Sequence, residues 1–131
     1  MNFSIRPACG LLLLALAACG GGGSDGFDDA VAKASAKQVE AQTLAADSPC
    51  SSTAQCDSLA FLSPTAVCST YSYKPYSLVA ASASAASAAA AEQRALANQA
   101  IRLGPNSGVA CVAVVNPPPT LTCRASTCQV Q

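Results

Sequence analysis

Apolar positions along the chain first gather into one unbroken block, LLLLALAA at 11–18. A membrane-spanning helix needs roughly 20 such residues, so this block is too short to cross a bilayer. It has the length of the apolar core of a cleaved export signal. The next segment, FDDAVAKASAKQVEAQTLAAD at 27–47, is rich in good helix formers, and Asp28 and Asp29 suit a helix start. Phe27, Val31, Val39 and Leu44 do not share one stripe, however, and no heptad repeats. The pattern therefore predicts a solvated spacer helix, partly frayed, that Asp47, Ser48 and Pro49 bring to an end.

From residue 48 onward the period changes. DSLAFLS at 57–63 sets Leu59 and Phe61 on one side, as a short strand does. AVCSTYSY at 66–73 alternates Val67, Tyr71 and Tyr73 against Cys68, Thr70 and Ser72. GVACVAVV at 108–115 is valine-rich and apolar on both faces, which predicts a central strand. NPPP at 116–119 is a stiff extended connector, and TLTCRASTCQV at 120–130 predicts a hairpin turning at Arg124–Thr127. Between the strands, residues 81–103 form the firmest helix of the chain. Alanine dominates, Ser82 or Ser84 can cap the start, and Gly104 and Pro105 follow the end. Ala89, Leu96, Ala97, Ala100 and Leu103 fall on one arc of that helix, with Arg94, Asn98 and Arg102 opposite. The expected architecture is a small α+β domain: a short antiparallel sheet packed by one Ala-rich helix and preceded by a spacer helix and a tether.

Charge and composition then narrow the function. Lysine plus arginine and aspartate plus glutamate stand at seven each. The chain has neither the basic excess of a nucleic-acid binder nor an acidic run. It has no histidine, the residue that most often performs acid–base catalysis. Beyond residue 47 the carboxylates are Asp57 and Glu92, on different predicted elements, and the one lysine is Lys74. No S-x-x-K, K-T-G or G-x-S-x-G surrounds a serine. No glycine-rich phosphate loop follows a strand, and Gly20–Gly23 follow the apolar block instead. These residues argue against an enzyme and imply no catalytic residue, metal or small-molecule cofactor.

The eight cysteines carry the strongest signals. Leu16, Ala17, Ala18 and Cys19 close the apolar block, with Arg6 ahead of it. This stretch resembles the lipobox of bacterial lipoproteins, a leucine, two small residues and the modified cysteine; the resemblance covers residues 1 to about 24. It implies cleavage between Ala18 and Cys19, a diacylglyceryl group on the Cys19 sulfur, and acylation of the new amine. More than one acyl chain is what stable anchoring requires. Gly20 stands where the sorting rule of typical Gram-negative lipoproteins places a retaining aspartate, so the resemblance implies transfer to the outer membrane, facing periplasm or cell surface. Cys9 lacks a preceding apolar run and leaves with the signal. The remaining six, Cys50, Cys56, Cys68, Cys111, Cys123 and Cys128, are even in number and belong to an oxidising compartment. No C-x-x-C pair suggests zinc or a redox motif, so three structural disulfides are expected, in any of 15 pairings.

The chain thus divides into a signal (1–18), a Gly-rich tether (19–26), a spacer helix or partly disordered segment (27–47) and a cysteine-rich domain (48–131). One stretch invites a binding role. YSYKPYS at 71–77 holds all three tyrosines, and Tyr73, Lys74 and Tyr76 could form an aromatic patch, Tyr71 lying in the core and Tyr76 on the surface. Two functions follow. The first is a non-catalytic, lipid-anchored module of the cell envelope that binds an envelope protein or polymer. The second is an inhibitor of a protease or lysozyme, with NPPPTLTC or YKPYS as its rigid loop.

Overall fold

The computed structural model describes residues 24–112 and 116–131. The elements are α1 (Ser24–Leu44), a 3-10 turn (Thr53–Gln55), β1 (Cys56–Leu62), β2 (Tyr71–Ser77), α2 (Ala83–Leu103), β3 (Leu121–Arg124) and β4 (Thr127–Val130). The fold is α+β, with two helices, two antiparallel two-stranded sheets and three disulfides. The lipobox, Cys9 and Cys19, and the last three residues of the valine run lie outside the described residues.

The first helix is not a solvated spacer. Ala30, Ala34, Ala41 and Ala45, on a single stripe running just past its C-terminal end, are all buried. They meet a matching stripe on α2, where Ala86, Ala89, Ala90, Ala97 and Ala100 are buried. The helices run antiparallel. At one end the Phe27 ring lies against Gly104, where an added Cβ would come within 3.0 Å of Phe27 Cε2. At the other, the Ser82 hydroxyl donates to the Leu44 carbonyl at 2.6 Å. A solvated face was expected because the larger apolar residues do not align; the stripe is written in alanine, whose small side chains let two helix backbones approach closely. Helix α1 also begins earlier than expected, so Ser24–Gly26 belong to it rather than to the tether.

Leu59, Phe61 and Tyr76 pack with Ala41, Ala45, Ala86, Ala89 and Ala90 into the main core. Leu62, Ala34 and Ala97 form a second cluster towards the other end, joined by Tyr71, Leu96 and Ile101. β1 pairs with β2 from Cys56↔Ser77 to Leu62↔Tyr71. The opposite edge of β1 is covered by α2. Gln93, fully buried, donates from Nε2 to the Leu62 carbonyl at 2.7 Å, and its Oε1 accepts from the Leu62 N–H at 3.1 Å. Arg94 Nη1 donates to the Ala60 carbonyl at 3.0 Å. Arg94 is therefore half-buried at the sheet edge, not on the solvent face where the helical wheel put it.

The central strand expected over 108–115 does not form among its described residues. Residues 105–108 make a turn, and 109–112 run irregularly and exposed. A further strand needs a free sheet edge. One edge of the sheet is closed by Gln93 and Arg94; the other belongs to β2, where Pro75 offers no N–H. The valine run is held instead by the Cys68–Cys111 bridge.

Candidate functional site

Two constellations were open from the sequence, the tyrosine stretch and the cysteines, and the structure treats them differently. β2 runs through Pro75, which stands opposite Ser58. Ser58, Ala60 and Leu62 share a parity, and the last two turn their backbone groups towards α2, away from β2. Pro75 therefore sits where no ladder donor is required. Because the strand continues, its alternation continues. Tyr76 stands opposite Asp57 and on the face of Leu59 and Phe61, and is only 7% exposed. Tyr71, at the strand end, is half-buried. Tyr76 was expected on the surface and is instead core, whereas Tyr71, expected in the core, packs on its second cluster while remaining half-buried. Burial pushes the Tyr76 hydroxyl above its ordinary pKa, the Asp57 carboxylate adds to this, and the Ser87 hydroxyl works against it.

Tyr73, Lys74 and Tyr76 consequently do not make one surface patch. Tyr73 and Lys74 are neighbours on a strand and point to opposite faces. Tyr73 is engaged elsewhere. Its hydroxyl donates to the Asn116 carbonyl at 2.6 Å, while Asn116 Nδ2 donates to the Tyr71 carbonyl at 2.6 Å. Two tyrosines thus pin the start of the proline run. Beyond that point Pro117 and Pro118 are exposed, and the run ends where the Gln131 N–H donates to the Thr120 carbonyl.

The six cysteines form three bridges: Cys50–Cys123, Cys56–Cys128 and Cys68–Cys111. The first two interleave along the chain and lie side by side, with the sulfurs of Cys50, Cys56 and Cys128 within 4.8 Å of one another. All three are oxidised, so they present no thiolate to a metal. Cys123 and Cys128 face each other across the terminal hairpin, so both of its strands are fastened to the 50–56 segment. Backbone pairing completes the junction: Cys50 N–H donates to the Ser126 carbonyl, and Cys128 N–H to the Ser48 carbonyl. The two-residue loop places Ala125 at φ 50° and Ser126 at φ 59°. Positive φ at both positions matches the twist of a tight hairpin but is a conformation that glycine and asparagine adopt more readily.

The remaining charged and concave features are modest. Lys37 bridges the helices, with Nζ 2.8 Å from Glu92 and 2.9 Å from Glu40. Those two carboxylates, Glu92 first, hold the ammonium well above the usual lysine range. Glu92 is thereby tied to α1, while Asp57 lies exposed on β1 and accepts from the Ser58 N–H. A cleft of about 230 Å³ is lined by Gln38, Ser63, Pro64, Thr70, Tyr71 and Ser72, without Lys74 or a carboxylate. Among the described residues no helix is long and apolar enough to cross a membrane. No protein-family model, curated protein or solved structure matches this chain.

Proposed function

We propose that this chain is a lipid-anchored protein of the bacterial cell envelope whose folded part is a rigid, non-catalytic module that binds or spaces other envelope components. The observation that carries the reading is Leu16-Ala17-Ala18-Cys19 at the end of an eight-residue apolar block. The three disulfides support it, because such bridges persist in exported proteins and are rare in reducing compartments. The reading takes the outer membrane as destination, from Gly20 after the modified cysteine. It includes neither a cofactor nor a nucleic-acid partner.

The test is chemical. The mature N-terminus should begin at Cys19 and carry the mass of its acyl chains. Cys19→Ser should abolish acyl labelling and free the protein from membrane fractions. A Cys19→Ser protein that still fractionates with the outer membrane through carbonate washing refutes the anchor.

A second reading, inhibition of a protease or lysozyme, draws on one feature. The Pro117–Thr120 run has no regular secondary structure, is held at Asn116 and Thr120, and ends three residues from the bridged Cys123. Pre-organisation of this kind lowers the entropic cost of binding. Pro117→Ala with Pro118→Ala should weaken any inhibition without lowering the melting temperature appreciably.

A further inference from the structure

One end of the helical pair is unusually apolar. There the first turn of α1 meets the last turn of α2: a Cβ on Gly26 would lie 3.8 Å from Leu103 Cδ1, and Phe27 packs on Gly104. A small hollow of about 50 Å³ at this end is walled mainly by apolar groups, among them Phe27, Pro64, Val67 and Ile101, with Thr65 and Asn106 also on its wall. Around it, large apolar side chains face solvent. Val67 is 46% exposed, Leu103 47%, Val109 50% and Val112 85%. The Cys68–Cys111 bridge fastens the segments bearing Val67 and Val112 to each other, and Cys111 Sγ lies 3.3 Å from the Val67 carbonyl oxygen. Clustered exposed apolar side chains of this kind mark a contact surface rather than ordinary scatter.

The chain itself indicates what covers it. Helix α1 starts at Ser24, five residues after Cys19. Five residues span at most about 18 Å however they are arranged. An acylated Cys19 therefore keeps this end within that reach of the lipid surface, while the far end of α1, 21 residues on, lies about 30 Å along the helix axis and is held by no such tether. Charge selects the kind of surface. Asp25 and Asp28 are exposed on the first turns of α1, Asp29 is paired with Lys33, and Arg102 is the nearby cation. Carboxylates with no ion-pair partner among the described residues disfavour an anionic surface, so the match is to zwitterionic phospholipid.

We propose that the Val67–Leu103–Val109–Val112 end rests in the headgroup boundary of a zwitterionic bilayer, so that the module stands upright on the membrane with its disulfide-bonded hairpin outermost. This rests on lipidation of Cys19. The acyl chains provide affinity, and the apolar end provides orientation.

The test uses the full lipidated chain in phosphatidylcholine vesicles containing lipids brominated high on the acyl chain. The chain has no tryptophan, so single reporters can be placed at will. Val112→Trp, and separately Val109→Trp, should be quenched at least twofold with a blue-shifted emission. Val130→Trp, on β4 of the terminal hairpin, should be unaffected. Adding anionic lipid should reduce the quenching at residue 112. Equal quenching at residues 112 and 130, or none at either in protein that floats with the vesicles and carries acyl mass, overturns the orientation and leaves the anchor intact. A blue shift at residue 112 that grows with protein concentration in detergent assigns the end to a second copy and also overturns it. Absence of acyl mass overturns both readings, and mass spectrometry of the N-terminal peptide distinguishes that case from the others.

Discussion

Gln93→Leu is the most informative single substitution, because Gln93 is the one side chain through which α2 satisfies the backbone of the sheet edge at Leu62. Leucine is close to glutamine in size, so the site stays filled and the change isolates hydrogen bonding. Two bonds disappear, 2.7 Å to the Leu62 carbonyl and 3.1 Å from the Leu62 N–H. Both backbone groups lie beside a fully buried side chain, so water does not readily replace the lost partner. Leaving a buried polar group unpaired costs about 1–3 kcal/mol. Two such groups, less the gain from a more apolar side chain, give a loss of about 2–4 kcal/mol. At a urea slope of about 1.5 kcal/mol/M this lowers the unfolding midpoint by roughly 1.3–2.7 M. The assay is equilibrium urea unfolding with the disulfides intact, followed by far-UV circular dichroism. Gln93→Glu sharpens it: the carboxylate can still accept from the N–H but faces the carbonyl without a donor, so that variant should regain stability as pH falls and the acid becomes protonated. A Gln93→Leu midpoint within experimental error of the parent would show that the edge is not held by these bonds.

Other expectations rest on separate elements. Tyr76→Ala should cost about 3–5 kcal/mol, the range for a large buried side chain, and a loss under about 1 kcal/mol in urea unfolding would place the ring outside the core. Tyr76 holds its proton more tightly folded than unfolded, so its stabilising effect is complete below about pH 10 and is lost as pH rises through the folded pKa; Tyr76→Phe should flatten that alkaline decline in melts run between pH 8 and 11. Ser126→Gly should stabilise the hairpin by about 0.5–1 kcal/mol, since glycine adopts the left-handed conformation freely, and a lower melting temperature would contradict the turn geometry. The interleaved bridges should be non-additive. With either one present the other closes a circuit of only about eleven residues, so replacing Cys56 and Cys128 with alanine, or Cys50 and Cys123, should cost about 3 kcal/mol, and replacing all four about 7.

The sequence was legible where its signals are local. The alternation that gave β1, the alanine run that gave α2 and the spacing of turn residues in the terminal hairpin all report short-range preferences, and the corresponding elements form within a few residues of the expected bounds. The burial of α1 was hidden because its buried stripe is alanine, which propensity counts as a helix former and periodicity scarcely counts as apolar. The misplacement of Tyr76 had a different source. Pro75 suggested the end of a ladder, and the sequence alone does not say that the N-side of Pro75 lies on the free edge. The valine run at 108–112 shows the opposite error, since strong strand propensity does not by itself make a strand where the chain pairs with no sheet edge. Gln93 carried no signal at all: on the helical wheel it is an ordinary polar residue, and only the register of α2 on β1 reveals the Leu62 backbone opposite it. Of the candidate site residues, the cysteines were recoverable because parity and compartment constrain them, whereas their pairing required coordinates.

The interleaving of Cys50–Cys123 with Cys56–Cys128 decides how this molecule responds to being cut. A protease that nicks the backbone anywhere between Cys56 and Cys123 leaves both halves joined through at least two bridges, so the damaged chain keeps its covalent unity and gains only the mass of one water. Before Cys50 the outcome reverses. Helix α1 carries none of the three bridges, so one cleavage within it divides the chain into two pieces with no covalent link between them. If Cys19 carries the proposed anchor, the stretch ahead of Cys50 is where shedding from the membrane would be decided, and the burial of α1 against α2 shields the helical part of that stretch from proteases.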